Sequence, residues 1–243
     1  NYSLHYVGGL PPLSADYFGA FAERIAALLE VGDANPLFVG IMSNGTSGDI
    51  NNVNFAGPAP GIRRPGEQIR VVADSVAKAA LAAYRRVEHR DGVPLAMAEK
   101  EIELGVRLPS PHDVARAKSI LAAAKDGLKS QPEIYARETV LLSEYPPKVK
   151  LKLQAIRVGE LGIAAVPCEV FVEIGLAIKK ESPLKPTFTI ELANGYNGYL
   201  PTPEQHRLGG YETWRARSSY LEVDASPKIT ATVLDLLRAV ARP

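Results

Sequence analysis

The stretch LGIAAVPCEVFVEIGLAIK, residues 161–179, changes its hydrophobic pattern in the middle. Small and apolar residues run without a break up to Pro167, which is typical of a buried strand. From Glu169 onward apolar residues recur at helical spacing, so a helix is predicted there. A buried strand followed by a short turn and a helix indicates an α/β fold. Glu169 lies at the junction, where burial of a carboxylate is costly unless a partner offsets its charge.

Strands and helices also alternate on both sides of this stretch. An alternating pattern in residues 148–159 predicts a half-exposed strand that pairs with residues 161–166 in a hairpin about Gly159. Further strands are predicted at residues 1–7, 35–43, 95–106, 186–194 and 218–223, and further helices at 13–30, 67–89, 112–126, 132–143 and 229–242. Ser14 is the predicted N-cap of the first helix. The pattern predicts a mixed sheet surrounded by helices.

Composition narrows the possible functions. A net charge of +1 gives no broad field that would attract nucleic acid. The sequence has no run of 18 apolar residues, so it predicts no transmembrane helix. The chain has a single cysteine, Cys168, so it cannot form an internal disulfide. No stretch of the sequence has the composition of a linker between two cores. We therefore expect a single α/β domain over residues 1–243.

Two long loops, residues 44–61 and 195–214, and the short turn at Pro167 begin where predicted strands end. Loops at the carboxyl ends of strands are the usual place for sites in α/β folds. Their polar candidates are Asn44, Thr46, Ser47, Asp49, Asn51, Glu169, Tyr196, Tyr199, His206 and Tyr211. His5, in the predicted first strand, and Glu169 are residue types that bind Zn²⁺. The spacing leaves two plainer roles open, a hydrogen-bonded strand histidine and a carboxylate at a helix N-terminus.

Four blocks carry a resemblance to a known family. They are NYSLHYVGGLPPLSADYFGAF, SNGTSGDINN, LGIAAVPCEVFVEIGLAIK and ANGYNGYLPTPEQHRLGGYE, in that order along the chain. Together they resemble the catalytic domain of neutral/alkaline ceramidases, which are zinc-dependent amidases. The resemblance implies an amide or lipid-amide substrate, a role in sphingolipid metabolism, and a Zn²⁺ cofactor. It also suggests a secreted or periplasmic location.

The resemblance assigns roles to individual residues. It implies that His5, Glu169 and Tyr199 bind zinc, with Cys168 standing where the family has a glycine. It implies that Tyr211 contacts the substrate amide and that Tyr196 is the first tyrosine of the family's Tyr-x-x-Tyr pair. The family's first zinc histidine belongs to a Thr-His-Thr-His-like segment that this sequence lacks. The chain is thus expected to be the C-terminal portion of such a catalytic domain, without the family's immunoglobulin-like domain, and to associate with the missing N-terminal segment.

One departure from the family concerns its required serine, in Gly-Asp-Val-Ser-Pro-Asn. Asn51 stands at that position, and an amide is no nucleophile, although it can hydrogen-bond. We expect Asp49 or Asn51 to position the water or the amide, and Asn44, Ser47 and Tyr196 to contact substrate. Ser47 or Thr46 could replace the serine in a shifted register.

Three functions remain open at this point. The first is amide hydrolysis by a zinc-activated water. The second is a non-catalytic or altered-substrate relative of the ceramidases. The third is a serine hydrolase that uses Ser47, for which the sequence shows no histidine partner. If no ligand lies upstream, His206 is the first candidate for the fourth zinc ligand.

Overall fold

The structure, a computed structural model, describes residues 13–31, 37–51, 56–57, 64–124, 127 and 129–242. The predicted first strand and His5 lie outside these residues. The helices are α1 (Asp16–Leu28), α2 (Glu67–Tyr84), α3 (Pro111–Ala123), α4 (Gln131–Leu142), α5 (Val172–Glu181), α6 (Pro203–Leu208) and α7 (Ala225–Ala241). The strands are β1 (Leu95–Gly105), β2 (Lys148–Val158), β3 (Leu161–Val166), β4 (Glu169–Val170), β5 (Thr187–Glu191) and β6 (Tyr199–Leu200).

A mixed sheet in the order β1-β2-β3-β5 confirms the predicted α/β class. The first three strands pair antiparallel, and β3 pairs parallel with β5. The β2–β3 hairpin turns at Gly159, whose φ of 62° suits a residue without a Cβ. Helix α7 packs on β1, β2 and β3 through residues at four-residue spacing, Ile229, Val233 and Leu237, which are fully buried.

The chain divides into two compact units, and the expectation that residues 1–243 belong to one domain stays a prediction. The first unit comprises residues 1–44 and 50–92, and the second comprises residues 45–49 and 93–243. In the first, α1 and α2 pack through apolar side chains such as Tyr17, Phe21, Ile69 and Val72, which form their own buried cluster. In the second, the sheet, α5 and α7 share a separate core. Each unit therefore buries its own apolar surface.

Most predicted helices and strands are present, but two predicted strands are wrong. In the described part of the first, residues 37–43, no strand forms because no described strand pairs with it. Its odd-numbered side chains are exposed, whereas Phe38 and Met42 pack against the first unit's cluster. Residues 218–223 form only isolated bridges. There Arg107 donates hydrogen bonds to the carbonyls of Ser219 and Leu221, at 2.7 and 2.9 Å, and occupies groups that a strand would use.

Smaller differences concern element ends. Glu169 and Val170 form β4, and α5 begins at Val172. The predicted irregular loop 195–214 contains β6, α6 and a 3₁₀ turn at Tyr211–Thr213. Helix α6 forms because the Thr202 side chain accepts a hydrogen bond from the Gln205 amide and Pro203 occupies the first turn.

Candidate functional site

Strands β4 and β6 bring two predicted zinc ligands together. Glu169 and Tyr199 are direct partners in their parallel ladder. The Glu169 amide donates to the Gly198 carbonyl at 2.9 Å, which fixes this register. Direct partners on neighbouring strands lie about 4.8 Å apart and project from the same face. The carboxylate and the phenol therefore leave the ladder side by side.

The β6 side of this ladder is held by the segments around it. The Tyr199 amide donates to the Ser218 carbonyl at 2.8 Å. The Asn197 side chain donates to the Pro167 carbonyl at 2.9 Å and accepts from the Tyr220 hydroxyl at 2.6 Å. These bonds involve backbone and buried groups, so the position of Tyr199 depends little on its own side chain.

Two tyrosines, Tyr196 and Tyr199, interact with the Glu169 carboxylate, and Tyr211 contacts Tyr199. The Tyr199 and Tyr211 rings meet edge to face, with centroids 5.8 Å apart and an interplanar angle of 88°. Burial raises the pKa of Tyr199, and a hydrogen bond with Tyr211 and the charge of Glu169 raise it further. Burial raises the pKa of Tyr196 to about 12, helped by the charge of Glu169 and a hydrogen bond to that carboxylate. Tyr196 and Tyr199 thus keep their protons at neutral pH in the absence of a cation.

Glu191, at the end of β5, is a buried carboxylate that was not among the candidates predicted from the sequence. It accepts hydrogen bonds from the amides of Ser47 and Val170, at 3.0 and 2.9 Å, and from the Ser47 hydroxyl. Burial raises its pKa, and these hydrogen bonds oppose the rise. One signal was available, because Thr187, Thr189 and Glu191 alternate along β5 and share one polar, buried face.

The segment Gly45–Asp49 packs against β4 and α5. The Gly48 amide donates to the Val170 carbonyl at 2.9 Å, and Asp49 Oδ1 accepts from the Val172 amide at 2.9 Å. A Cβ on Gly48 would lie 2.4 Å from the Glu169 carbonyl oxygen, so only glycine permits this approach. Asp49, predicted to be catalytic, caps the N-terminus of α5 in the structure.

The predicted residues therefore fall into three groups. Glu169, Tyr196, Tyr199 and Tyr211 meet at the β4–β6 ladder, and Ser47 and Asp49 are anchored beside it through Glu191 and α5. Asn44 and Asn51 belong to the first unit, and their roles stay predictions. His5 lies outside the described residues.

Metal-binding side chains other than tyrosine are sparse at this site. Among the described residues, no three His, Cys, Asp or Glu side chains lie close enough to hold a metal ion. His206 lies on α6, and burial together with the positive charge of Arg107 lowers its pKa, so its ring is neutral at neutral pH. Cys168 is fully buried, and burial raises its thiol pKa, so the thiol is unreactive.

Comparisons with known structures place the fold. The chain is similar to the neutral ceramidase from Pseudomonas aeruginosa with a TM-score of 0.65 and 17% sequence identity, covering 94% of this chain and 41% of that one. A ceramidase complexed with C2 gives a TM-score of 0.63 and 16% identity, covering 94% and 42%. The chain has the fold of neutral ceramidases. It spans less than half the length of these structures.

Sequence comparison alone finds less than the structure does. No protein-family model matches the chain, and a search of curated proteins finds no match either. The ceramidase fold of this chain therefore rests on structural similarity. In the described part of the chain, no helix is long and apolar enough to cross a membrane.

Proposed function

We propose that this protein is a zinc-dependent hydrolase that cleaves an N-acyl amide bond with a metal-activated water. The observation that carries the proposal is the direct pairing of Glu169 with Tyr199 in a ceramidase fold. It places a carboxylate and a phenol, both oxygen ligands, side by side at the end of the sheet. Loops at such positions commonly hold the sites of α/β proteins.

The electrostatics of the site suit a cation. The negative charge of Glu169 raises the pKa values of Cys168, Glu191, Tyr196 and Tyr199, so its field reaches four neighbouring groups. A divalent ion at the Glu169–Tyr199 face would offset that charge and favour loss of the Tyr199 proton. Zinc prefers four ligands, and the described residues supply two of the proposed set. His5, which lies outside the described residues, is the proposed third.

The chain's own residues would bind and orient the substrate. When bound, zinc would lower the pKa of a water and polarise the substrate carbonyl. Tyr211, with 48% of its surface exposed, can reach a substrate and would donate a hydrogen bond to the developing oxyanion. Tyr196 would hold the Glu169 carboxylate in place through its hydroxyl.

A second candidate function is a serine hydrolase that uses Ser47. The observation that favours it is the hydrogen bond from the Ser47 hydroxyl to the Glu191 carboxylate, which would accept the proton as a general base. The sequence offered no histidine partner for Ser47, and the structure provides a carboxylate instead. Against this function, the same carboxylate also holds the amides of Ser47 and Val170, which is a structural role.

The test measures metal and turnover on the same preparation. Purified protein is analysed for zinc after dialysis and assayed with a fluorogenic N-acyl amide, before and after chelation. The variants are Glu169→Gln and, as a matched control, Glu181→Gln at the exposed end of α5. We expect Glu169→Gln alone to lose zinc and activity. Activity that survives complete metal removal would exclude the zinc mechanism, and no turnover of any acyl amide would favour the non-catalytic relative.

A further inference from the structure

A groove of about 500 Å³ lies beside the β4–β6 ladder, and no role has been assigned to it so far. Four tyrosines line it: Tyr135, Tyr145, Tyr196 and Tyr220. The Tyr145 and Tyr220 rings meet edge to face, with centroids 5.4 Å apart, and Tyr220 is fixed by its hydrogen bond to Asn197. We call it the tyrosine groove. Its volume lies in the range of small-molecule sites.

Two residues connect the tyrosine groove to the candidate site. Tyr196 lines the groove, and its hydroxyl hydrogen-bonds the Glu169 carboxylate. Ser218 also lines the groove, and its carbonyl accepts the hydrogen bond from the Tyr199 amide. The groove therefore lies next to the Glu169–Tyr199 face, with Tyr196 in contact with both.

The lining of the groove also contains one carboxylate that is paired with two guanidinium groups. Glu138, whose side chain is 11% exposed, accepts hydrogen bonds from two arginines. Arg217 donates from Nε and Nη2 at 2.8 and 3.0 Å, and Arg137 donates from Nε and Nη2 at 3.1 and 3.0 Å. One carboxylate thus neutralises one of two guanidinium charges, which leaves a net charge of +1.

Both guanidinium groups retain unused donors. Within the described residues, Nη1 of Arg137 and Nη1 of Arg217 make no hydrogen bond, and the two side chains are 48% and 42% exposed. Guanidinium donors match carboxylate and phosphate oxygens in geometry and charge. Tyrosine rings supply flat contact surfaces and hydroxyls around them.

We propose that the tyrosine groove binds an anionic group, a carboxylate or a phosphate, on the amine portion of the amide substrate. This inference rests on the proposed function and specifies its substrate class. The groove selects the charged substrate through Arg137 and Arg217. A neutral amine portion of the same length gains no such interaction.

Binding is measured first, through the single tryptophan. Trp214 packs edge to face on Tyr135, which lines the groove, with ring centroids 5.2 Å apart. Its fluorescence therefore reports occupancy. The probes are N-lauroylglycine, N-lauroylethanolamine phosphate and the neutral N-lauroylethanolamine, all below their micelle concentrations. We expect at least one charged probe to bind about tenfold more tightly than the neutral one, and comparison of the two charged probes identifies the preferred anion.

Arg137→Gln tests the role of the positive charge. It removes one guanidinium group and leaves Glu138 paired with Arg217, so the net charge of the three side chains falls from +1 to zero. We expect it to remove the preference for the charged probes. The matched control is Arg238→Gln on α7, a similarly exposed arginine paired with Asp235, which should keep the preference. Equal affinity for charged and neutral probes in the unsubstituted protein, or an equal loss in both variants, would overturn the proposal.

Hydrolysis of the same three amides separates this inference from the proposed function. Charge-selective binding without turnover of any probe would contradict the proposed function and leave the tyrosine groove supported. Turnover of all three probes at equal rates would support an amidase and overturn the role of the groove. If the protein is an amidase and the tyrosine groove binds the anion, the charged amide has a higher kcat/KM than the neutral amide. Arg137→Gln then brings the ratio of these two kcat/KM values close to one.

Discussion

Glu169 and Tyr199 are directly opposite each other in the parallel ladder between β4 and β6. Their side chains project from one face, and the Tyr211 ring meets Tyr199 edge to face on that side. The backbone bonds of Gly198 and Ser218 hold both strands, so the pairing does not depend on either side chain. The two side chains can therefore be replaced one at a time with little effect on the ladder.

Tyr199→Phe and Tyr211→Phe should have different effects. Tyr199→Phe removes a proposed zinc ligand, so we expect both zinc content and activity to fall. Tyr211→Phe removes only the proposed oxyanion donor, so kcat should fall about 10²–10³-fold while zinc content stays unchanged. Zinc analysis and steady-state kinetics of the two variants make the comparison. A Tyr199→Phe variant with full zinc content would contradict the ligand assignment.

Substitutions of Asp49 distinguish its predicted catalytic role from its observed contact with the N-terminus of α5. Asp49→Ala should destabilise the protein by about 1 kcal/mol, because the Val172 amide loses its acceptor at the start of α5. Asp49→Asn keeps an acceptor oxygen and should retain most of the stability. Thermal unfolding gives both values. If Asp49→Asn kept its stability but lost activity, the result would instead support a catalytic role for the Asp49 carboxylate.

Glu191 should make stability depend on pH in an unusual direction. Its pKa is raised by burial from the ordinary value of 4.5, so the folded state binds this proton more tightly than the unfolded state. Its contribution to stability is therefore full below pH 4.5 and is lost as pH rises through the folded-state pKa. We expect Glu191→Gln to gain stability relative to the unsubstituted protein as pH rises from 4 to 7. Denaturant unfolding across this range measures the difference, and a difference that falls with pH would contradict the assigned direction.

Gly48→Ala should disturb the site through the backbone. The added methyl group would lie 2.4 Å from the Glu169 carbonyl oxygen, so segment Gly45–Asp49 would have to move away from β4. We expect lower thermal stability and reduced activity. Gly105→Ala is the matched control, because the nearest atoms to its Cβ are at 3.5 Å, an ordinary contact distance. Equal effects from the two substitutions would show that the close approach at Gly48 is unimportant.

The strongly periodic parts of the chain could be predicted from the sequence. Helix α2 and strand β1 follow from regular apolar spacing over many residues, and the β2–β3 hairpin follows from alternation on either side of Gly159. The strand predicted around Val39 failed for a physical reason. Periodicity shows which side chains can be buried, but a strand also needs a paired neighbour, and no described strand provides one.

The candidate site was only partly predictable. Glu169, Tyr199 and Tyr211 were identified through the family resemblance, and the fold brings them together. The cap formed by Asp49 was missed because it joins residues far apart in sequence. Glu191 was missed because a carboxylate at the end of a strand is usually exposed. Its alternation with Thr187 and Thr189 marks one face of β5, and its contacts with Ser47 and Val170 show that this face is buried at Glu191.

The contacts between Ser47 and Glu191 also bear on the order of folding. They close a loop of 144 residues, whereas the β2–β3 hairpin forms between neighbouring segments. Closing a long loop costs more chain entropy than closing a hairpin, so we expect the hairpin to form first and the docking of residues 45–49 to come last. Pulse-labelling hydrogen exchange would show protection of β2 amides before that of the Ser47 amide. The surroundings of β4 would then be completed only at the final step of folding, after the sheet has formed.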